Sequence, residues 1–266
     1  MTRNRLSIYV SSPDSYSDVF SVFYRAFFRY WKDCPYDFYL TTNTQAYEDI
    51  KCIQNNKPGD TWVERTLAAM PKIDSKYLLL MCDDTFISQP VNNIDIERIL
   101  DYMDNNNIKY CRIKPIKAKD IIGKEIGLCH VSTNIPYAVN LQIGIIRKDF
   151  LMHLLGDGKK SAWEIEGNIQ NKLKVDKYNN YVDIVAVNKP IVSFVHGIWK
   201  GKWIRGTYNY IKKEYPDYVF ERPRLSIGLS IKILLINNLE MMTPIKARRA
   251  LKSILTKLGV KFTTTT

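Results

Sequence analysis

The stretch Ser75–Pro90, which reads Ser-Lys-Tyr-Leu-Leu-Leu-Met-Cys-Asp-Asp-Thr-Phe-Ile-Ser-Gln-Pro, decides how the rest of the chain is interpreted. Its apolar run, residues 77–82, has the length of a buried strand of a parallel sheet. The run ends in two adjacent carboxylates, Asp83 and Asp84. Ligands of open α/β sheets bind at the carboxyl ends of the strands, and two acids there suit a hard cation bound together with substrate phosphates. The alternative is an ordinary turn, because aspartate is a favoured turn residue.

Strand and helix patterns alternate on both sides of this stretch. In chain order, the main predicted elements cover residues 5–10, 18–32, 36–41, 61–70, 77–82, 94–106, 140–146 and 147–155. This alternation predicts an α/β, Rossmann-like fold with a mostly parallel sheet and flanking helices. No Gly-x-Gly-x-x-Gly motif follows the first strand, which argues against a dinucleotide-binding fold of the usual kind.

The composition is that of a globular chain long enough for one large α/β domain. The 266 residues are 45 % hydrophobic, and the net charge at pH 7 is +12. The five cysteines include no Cys-x-x-Cys pair, so we interpret them as reduced thiols of a cytosolic protein. The apolar segment Leu6 to Val10 is cut short by polar residues, so no signal peptide is predicted.

Positive charge is concentrated in residues 225–266, which hold seven Lys or Arg residues and one acid, a net charge of +6. After Pro244, aliphatic residues fall on one helical stripe and basic residues elsewhere, as in a helix that lies in a membrane surface. The alternative is an apolar helix packed on the domain, followed by a solvated basic helix. We predict a catalytic domain over residues 1–224 and an amphipathic helical tail over residues 225–266 that binds an anionic membrane. Nucleic acid is not an expected partner, because the basic residues are not interleaved with stacking aromatic rings.

Four motifs occur in the order found in a group of glycosyltransferases. They are the strand that ends in Asp83-Asp84, the Leu141-Gln142 strand, Trp163-Glu164-Ile165-Glu166, and the segment from His196 to Trp203. Over residues 5–215 the chain resembles the GT-A-type glycosyltransferases of bacterial capsule, O-antigen and lipopolysaccharide assembly. The resemblance implies a GT-A-like fold, a nucleotide-sugar donor with UDP favoured, and a glycan or lipid-linked acceptor. It also implies a divalent metal, Mn²⁺ or Mg²⁺, and attachment to the cytoplasmic face of the cell membrane.

The resemblance assigns the metal to Asp84, with Asp83 toward the ribose or a metal-bound water. His196 matches a position that supplies a further metal ligand in several GT-A enzymes, and the alternative is a structural histidine. This chain has Cys-Asp-Asp where Asp-x-Asp is commoner. The choice between the two acids as metal ligand therefore stays open. Lys202 is a candidate for the diphosphate, and Arg65 is a weaker one.

The remaining candidates are assigned to the substrates. By their position after the first strand, Ser11, Asp14 and Tyr16 would line the nucleotide-base pocket. Gln142 and Trp203 belong to the matched motifs and are grouped with the substrate-binding residues. Trp163 would stack on the acceptor sugar, although an aromatic residue at a helix start is also often part of the core.

Two acids compete for the role of general base. Glu164 and Glu166 lie about 200° apart around a helix axis, so one cleft cannot take both. Ser161 and Glu164 have the spacing of a capping box, so we assign Glu166 as the base that takes the acceptor hydroxyl's proton in an inverting transfer. Glu164 would then be a cap or a surface residue, and it is grouped with the substrate-binding residues. The alternative is that both are ordinary first-turn acids favoured by the helix dipole.

Three other classes of protein are weighed against this hypothesis. A haloacid-dehalogenase-type phosphatase would need Asp-x-Asp-x-Thr, and its first position here is Cys82. A nucleotidyltransferase would normally show a glycine-rich loop after the first strand, where this chain has Ser11-Ser12-Pro13. A catalytically inactive nucleotide-sugar-binding module at the membrane is the non-enzymatic alternative.

Overall fold

The computed structural model describes residues 5–47, 49–116, 118, 120–123, 125–132, 138–175 and 184–230. The chain divides into two compact units, Met1–Gly197 and Ile198–Thr266. The predicted boundary between residues 224 and 225 stays a prediction, because most of the predicted tail, including its amphipathic helix, lies outside the described residues.

Ten strands are described in the first unit. They are β1 (Leu6–Ser11), β2 (Asp37–Thr42), β3 (Lys51–Gln54), β4 (Tyr77–Cys82), β5 (Thr85–Ile87), β6 (Tyr110–Arg112), β7 (Leu128–His130), β8 (Gly144–Arg147), β9 (Ile184–Val187) and β10 (Phe194–His196). Eight of them form one sheet in the order β3-β2-β1-β4-β8-β6-β9-β7, and β5 and β10 form a separate pair.

Parallel pairing joins β3 to β2, β2 to β1, β1 to β4, and β6 to β9. The strand β8 runs antiparallel to its neighbours β4 and β6, and β7 runs antiparallel to β9. Both neighbours of β8 therefore point the same way, and β1, β2, β3, β4, β6 and β9 all end at one edge of the sheet. The predicted GT-A-like α/β fold, with a mostly parallel sheet and flanking helices, is confirmed.

Helices cover both faces of this sheet. They are α1 (Ser17–Tyr30), α2 (Trp62–Ala69), α3 (Asn93–Asn105), α4 (Lys148–Leu155) and α5 (Ala162–Val175). Apolar side chains of α2, α4 and α5 share one buried cluster with Leu80 and Tyr110 of the sheet. On the opposite face the aromatic stripe of α1 packs inward, with Phe27 at 5.1 Å from Phe38 between ring centroids. None of the helices in the described ranges has the length and hydropathy needed to cross a membrane.

The predicted strand over residues 140–146 begins only at Gly144. The Tyr110 hydroxyl donates to the carbonyl oxygen of Asn140 over 2.9 Å and accepts the Asn140 N–H over 3.1 Å. The Asn140 side chain in turn accepts the N–H of Gln142 over 2.8 Å. Because side chains occupy these backbone groups, residues 140–143 form a loop that enters β8.

The second unit is described from Ile198 to residue 230. A hairpin pairs β11 (Ile198–Trp199) with β12 (Lys202–Trp203), and α6 (Arg205–Glu214) follows. Lys200 and Gly201 both have positive φ, 49° and 73°, as a type I′ turn requires. Leu225 belongs to this unit, because its N–H donates to the carbonyl oxygen of Trp203 over 2.9 Å.

Candidate active site

The turn that leaves β4 lies at the sheet edge where the parallel strands end. Asp83 and Asp84 form this turn, and the chain continues into β5. The antiparallel partner β10 places His196 opposite Thr85. The backbone N–H of Gly197 then donates to the carbonyl oxygen of Asp84 over 2.6 Å. Two residues that are distant in sequence, Asp84 and His196, are thereby brought to neighbouring positions.

The two aspartates of the turn are shielded from water. Asp83 is buried, with 5 % of its surface exposed, and Asp84 is half-buried. Burial raises the pKa of Asp84 to about 6, against hydrogen bonds from its own backbone and from the Thr85 hydroxyl at 3.5 Å. A carboxylate that is deprived of water in this way gains free energy from a bound cation.

The imidazole of His196 is half-buried, and the ring of Phe194 packs against it edge-on with 5.6 Å between centroids. Burial lowers the pKa of His196, and the positive charge of Lys114 lowers it further. The neutral ring keeps a nitrogen lone pair at pH 7, which is the form that binds divalent metals. Lys114 was not predicted as a site residue, although it begins the basic segment that follows β6.

The described residues contain no group of three His, Cys, Asp or Glu side chains placed to hold a metal ion. Asp84 and His196, which lie at neighbouring backbone positions, could supply two ligands, one oxygen and one nitrogen. Such a partial set fits Mg²⁺ or Mn²⁺ bound largely through phosphate oxygens and water, since Mg²⁺ commonly takes only one or two carboxylates from the protein.

Cys82, the last residue of β4, lies close enough to Asp83, Asp84 and Glu166 of α5 for their charges to act on its thiol. Burial, followed by the negative charges of Asp84, Asp83 and Glu166, raises the pKa of the Cys82 thiol well above its usual range. The thiol is therefore neutral and lies within electrostatic reach of all three carboxylates. Glu166 thus belongs to the same end of the sheet as the Asp83-Asp84 turn.

The two glutamates at the start of α5 occupy different environments. Glu164 is exposed and accepts hydrogen bonds from the N–H and the hydroxyl of Ser161, at 2.8 and 2.7 Å. The Ser161 hydroxyl oxygen in turn accepts the N–H of Glu164 over 3.3 Å, which completes a capping box. Glu166 is 6 % exposed and accepts the N–H of Leu141 over 2.7 Å. Burial raises the pKa of Glu166, and this hydrogen bond opposes the rise.

The two remaining candidates on this side of the site flank Glu166. Trp163, in the first turn of α5, has 70 % of its surface exposed, so its indole is available to a ligand. Gln142 is half-buried in the loop before β8, and its carbonyl oxygen accepts a weak hydrogen bond from the Cys82 thiol at 3.8 Å.

Asp14 organises the loop that follows β2. Its carboxylate accepts the N–H of Asn43 at 3.1 Å and both the N–H and the hydroxyl of Thr44, at 3.0 and 2.6 Å. Burial acts to raise the pKa of Asp14, but hydrogen bonds from Thr44, Gln45 and Asn43 outweigh it and keep that pKa below its usual range. Tyr16 is half-buried just before α1. The loops after β1 and β2 are therefore fixed to each other.

Arg65 is committed to a buried network. Its guanidinium forms an ion pair with Asp60 and donates to the Ser11 hydroxyl over 3.2 Å. The side chains of Arg65 and Asp60 are 5 % and 0 % exposed, and Asp60 also accepts from Asn43 and Asn55. These contacts give Arg65 and Ser11 a structural role in joining α2 to the ends of β1, β2 and β3, which the sequence did not predict.

Lys202 and Trp203 lie on β12 in the second unit. Lys202 is exposed, whereas Trp203 is fully buried, with its ring centroid 5.4 Å from Phe220 and 5.9 Å from Tyr218. Trp203 is thus a core residue of its own unit. The substrate contacts assigned to these two residues stay predictions.

No protein-family model and no curated protein matches the chain. Among solved structures, the chain is similar to TarS of S. aureus, with 10 % identity and a TM-score of 0.45 over 91 % of this chain and 46 % of TarS. The chain thus spans less than half of that structure. A TarS fragment of residues 1–349 gives 12 % identity and a TM-score of 0.46, covering 92 % of this chain and 77 % of the fragment. The same fragment in complex with UDP-GlcNAc gives 10 % identity at the same TM-score and coverage.

Proposed function

We propose that this protein is a metal-dependent, inverting glycosyltransferase that takes a sugar from a nucleotide-diphosphate sugar, with UDP favoured. The observation that carries the proposal is the convergence of Asp84, His196 and Glu166 at the carboxyl end of β4. This edge is where ligands bind open α/β sheets. The arrangement combines a partial metal site with a separate, buried carboxylate that is free of the capping role taken by Glu164.

Asp84 and His196 would hold the divalent metal. When bound, Mn²⁺ or Mg²⁺ would act as a Lewis acid that neutralises negative charge on the departing diphosphate. Lys114, whose charge reaches His196, would add a second positive charge at the same end of the sheet. Lys202 stays a sequence-based candidate for the diphosphate.

Glu166 would act as the general base. The Leu141 N–H holds one carboxylate oxygen in place, and the side chain has a second oxygen to accept a proton. The acceptor hydroxyl oxygen forms a bond to the anomeric carbon as the bond from that carbon to the diphosphate oxygen breaks, with its electron pair leaving on the diphosphate. The hydroxyl proton moves to Glu166. The raised pKa of Glu166 brings its proton affinity closer to that needed at neutral pH.

The acceptor would be a lipid-linked or growing surface-polysaccharide chain. An exposed Trp163 beside Glu166 supports this, because an indole face suits a sugar ring and lies one turn from the base. Residues 225–266 would attach the enzyme to the anionic inner face of the cell membrane, as their net charge of +6 suggests.

A binding screen tests the proposal. UDP-, GDP- and CMP-sugars are titrated into the wild type with Mn²⁺ and with a chelator, and the screen is repeated on Asp84→Ala. The matched control is Asp95→Ala, which removes an acid from the first turn of α3. We expect one nucleotide class to bind only with metal, and Asp84→Ala alone to lose that binding. Metal-independent binding without sugar turnover would favour the inactive module, and no binding in any arm would contradict the transferase.

A further inference from the structure

Arg112, at the carboxyl end of β6, was not predicted as a site residue. In the sheet it lies opposite Gly144 of β8, and Gly144 lies opposite Leu80 of β4. Residues that face each other in antiparallel pairs share one face of the sheet, and so do residues two apart along a strand. Arg112 therefore lies on the same face as Leu80 and Cys82, the face that α5 covers.

Leu80, Gly144 and Arg112 lie side by side on three neighbouring strands. The glycine in the middle leaves no side chain between Leu80 and Arg112. A Cβ atom at Gly144 would lie 2.6 Å from the ring of Tyr110, so the position requires glycine. The Tyr110 ring occupies this space and carries its hydroxyl to Asn140, in the loop that also binds Glu166 through Leu141. Arg112 and Glu166 thus border a common region of the site.

The charges at Tyr110 support this placement independently. Burial has the largest effect on the pKa of Tyr110 and raises it, and the hydrogen bond with Asn140 opposes the rise. Among the smaller effects, the positive charge of Arg112 lowers this pKa and the negative charge of Glu166 raises it. Both side chains are therefore within electrostatic reach of the same hydroxyl.

The guanidinium of Arg112 lacks an anionic partner in the described part of the chain. Its Nε atom is buried, and among the described residues the Nε–H finds no acceptor and no carboxylate forms an ion pair with the guanidinium. A buried N–H that makes no hydrogen bond costs free energy, and a charged one costs more. A planar guanidinium in this state matches a carboxylate or phosphate group, which it can bind through two N–H groups.

We propose that Arg112 binds an anionic group, a carboxylate or a phosphate, carried by the sugar that is transferred or by the acceptor. This inference rests on the proposed function for the identity of the substrates. The nucleotide diphosphate is a less suitable partner. Because β8 lies between β4 and β6, Arg112 is two strand spacings, about 10 Å, from the strand that carries the Asp83-Asp84 turn. The site would therefore select acidic over neutral sugar substrates.

The Nε–H signal of Arg112 gives a direct test by ¹⁵N NMR, assigned by its absence in Arg112→Lys. In the donor arm, UDP-glucuronate with Mg²⁺ is compared with UDP-glucose. In the acceptor arm, methyl glucuronide, methyl glucoside or inorganic phosphate is added to the UDP–Mg²⁺ complex and to the ligand-free protein. A saturable shift with an acidic probe and none with its neutral counterpart supports the proposal, and the responding arm identifies which substrate carries the anion.

An Nε–H signal that responds to no acidic probe in either arm would overturn the inference, even if UDP and Mg²⁺ bind. Conversely, a failure of UDP and Mg²⁺ to perturb any signal would count against the proposed function alone, because the probes on the ligand-free protein still test Arg112. As a binding check, Arg112→Gln should weaken the binding of the acidic probe at least tenfold. The matched control Arg98→Gln removes an exposed arginine of α3 and should leave binding unchanged.

Discussion

The backbone N–H of Gly197 donates to the carbonyl oxygen of Asp84 over 2.6 Å, directly beside the strand pair that sets His196 opposite Thr85. The turn that carries Asp84 is therefore tied to the end of β10 by main-chain hydrogen bonds. Backbone contacts of this kind persist when either side chain is replaced. Substitutions at Asp84 and His196 should consequently change ligand binding while the local fold is retained.

His196→Gln should raise the metal concentration needed for half-maximal nucleotide-sugar turnover by at least about tenfold, since even outer-shell partners of metal ligands are worth 10–100-fold. Excess Mn²⁺ should restore much of the rate, because Asp84 remains. Turnover as a function of metal concentration measures this. His153→Gln, at an exposed position of α4, is the matched control and should leave the metal requirement unchanged. An unaltered metal requirement in His196→Gln would remove this residue from the metal site.

Glu166→Gln should reduce transfer by about 10²–10⁴-fold, the range for losing a general base, with little change in nucleotide-sugar affinity. The same substitution tests the raised pKa of Glu166. A carboxyl group with a raised folded-state pKa adds stability below its ordinary value of 4.5 and loses this contribution as pH rises through the folded value.

The free energy of unfolding of the wild type should therefore fall, relative to Glu166→Gln, as pH increases above that ordinary value. Urea denaturation at a series of pH values provides the comparison. Glu164→Gln, in the exposed capping box, should lose far less transfer activity. Equal losses for the two variants would contradict the assignment of the base.

Arg65→Met should destabilise the protein by about 3–5 kcal/mol, because it leaves the buried carboxylate of Asp60 without its cation. Denaturant unfolding measures this loss. The double variant Arg65→Met, Asp60→Leu should recover part of it, since a pair replaced by apolar groups leaves no buried charge. A double variant as unstable as the sum of the single ones would show that the ion pair is not the source of the loss.

Truncation after Ser230 should abolish sedimentation with vesicles that contain anionic lipid, because it removes all seven basic residues of the tail. This end point keeps the hydrogen bonds that join Leu225 to Trp203 and Arg205, which a cut at residue 224 would break. Binding by the full chain should weaken at high salt, since charge attraction is screened. A truncated protein that still sediments would place the membrane contact elsewhere.

Local patterns in the sequence were sufficient for the central strand and for separating the two glutamates. The apolar run 77–82 marks β4 and its carboxylate end, and the Ser161–Glu164 spacing marks the capping box that is present. Both features depend on residues within one or two turns of chain.

Features that depend on distant partners were not predicted. The hydrogen bond from Arg65 to Ser11 joins residues 54 positions apart, and the position of Arg112 follows from strand order, with β8 inserted between β4 and β6. The short strands β3 and β5 also went unpredicted, because three or four residues carry little periodicity. Glycine usually weakens a strand, so its presence at position 144 has no evident reason in the sequence. The structure supplies the reason, because the ring of Tyr110 approaches too closely for any side chain.

Calorimetric titration of UDP into the wild type and Asp84→Ala, each with Mn²⁺ and with a chelator, tests the central claim most directly. If Asp84 and His196 hold a metal that binds the diphosphate, UDP should bind the wild type at least tenfold more tightly with Mn²⁺, and Asp84→Ala should lose this difference while it unfolds at the same urea concentration. The same UDP affinity with and without Mn²⁺ in the wild type would contradict the claim.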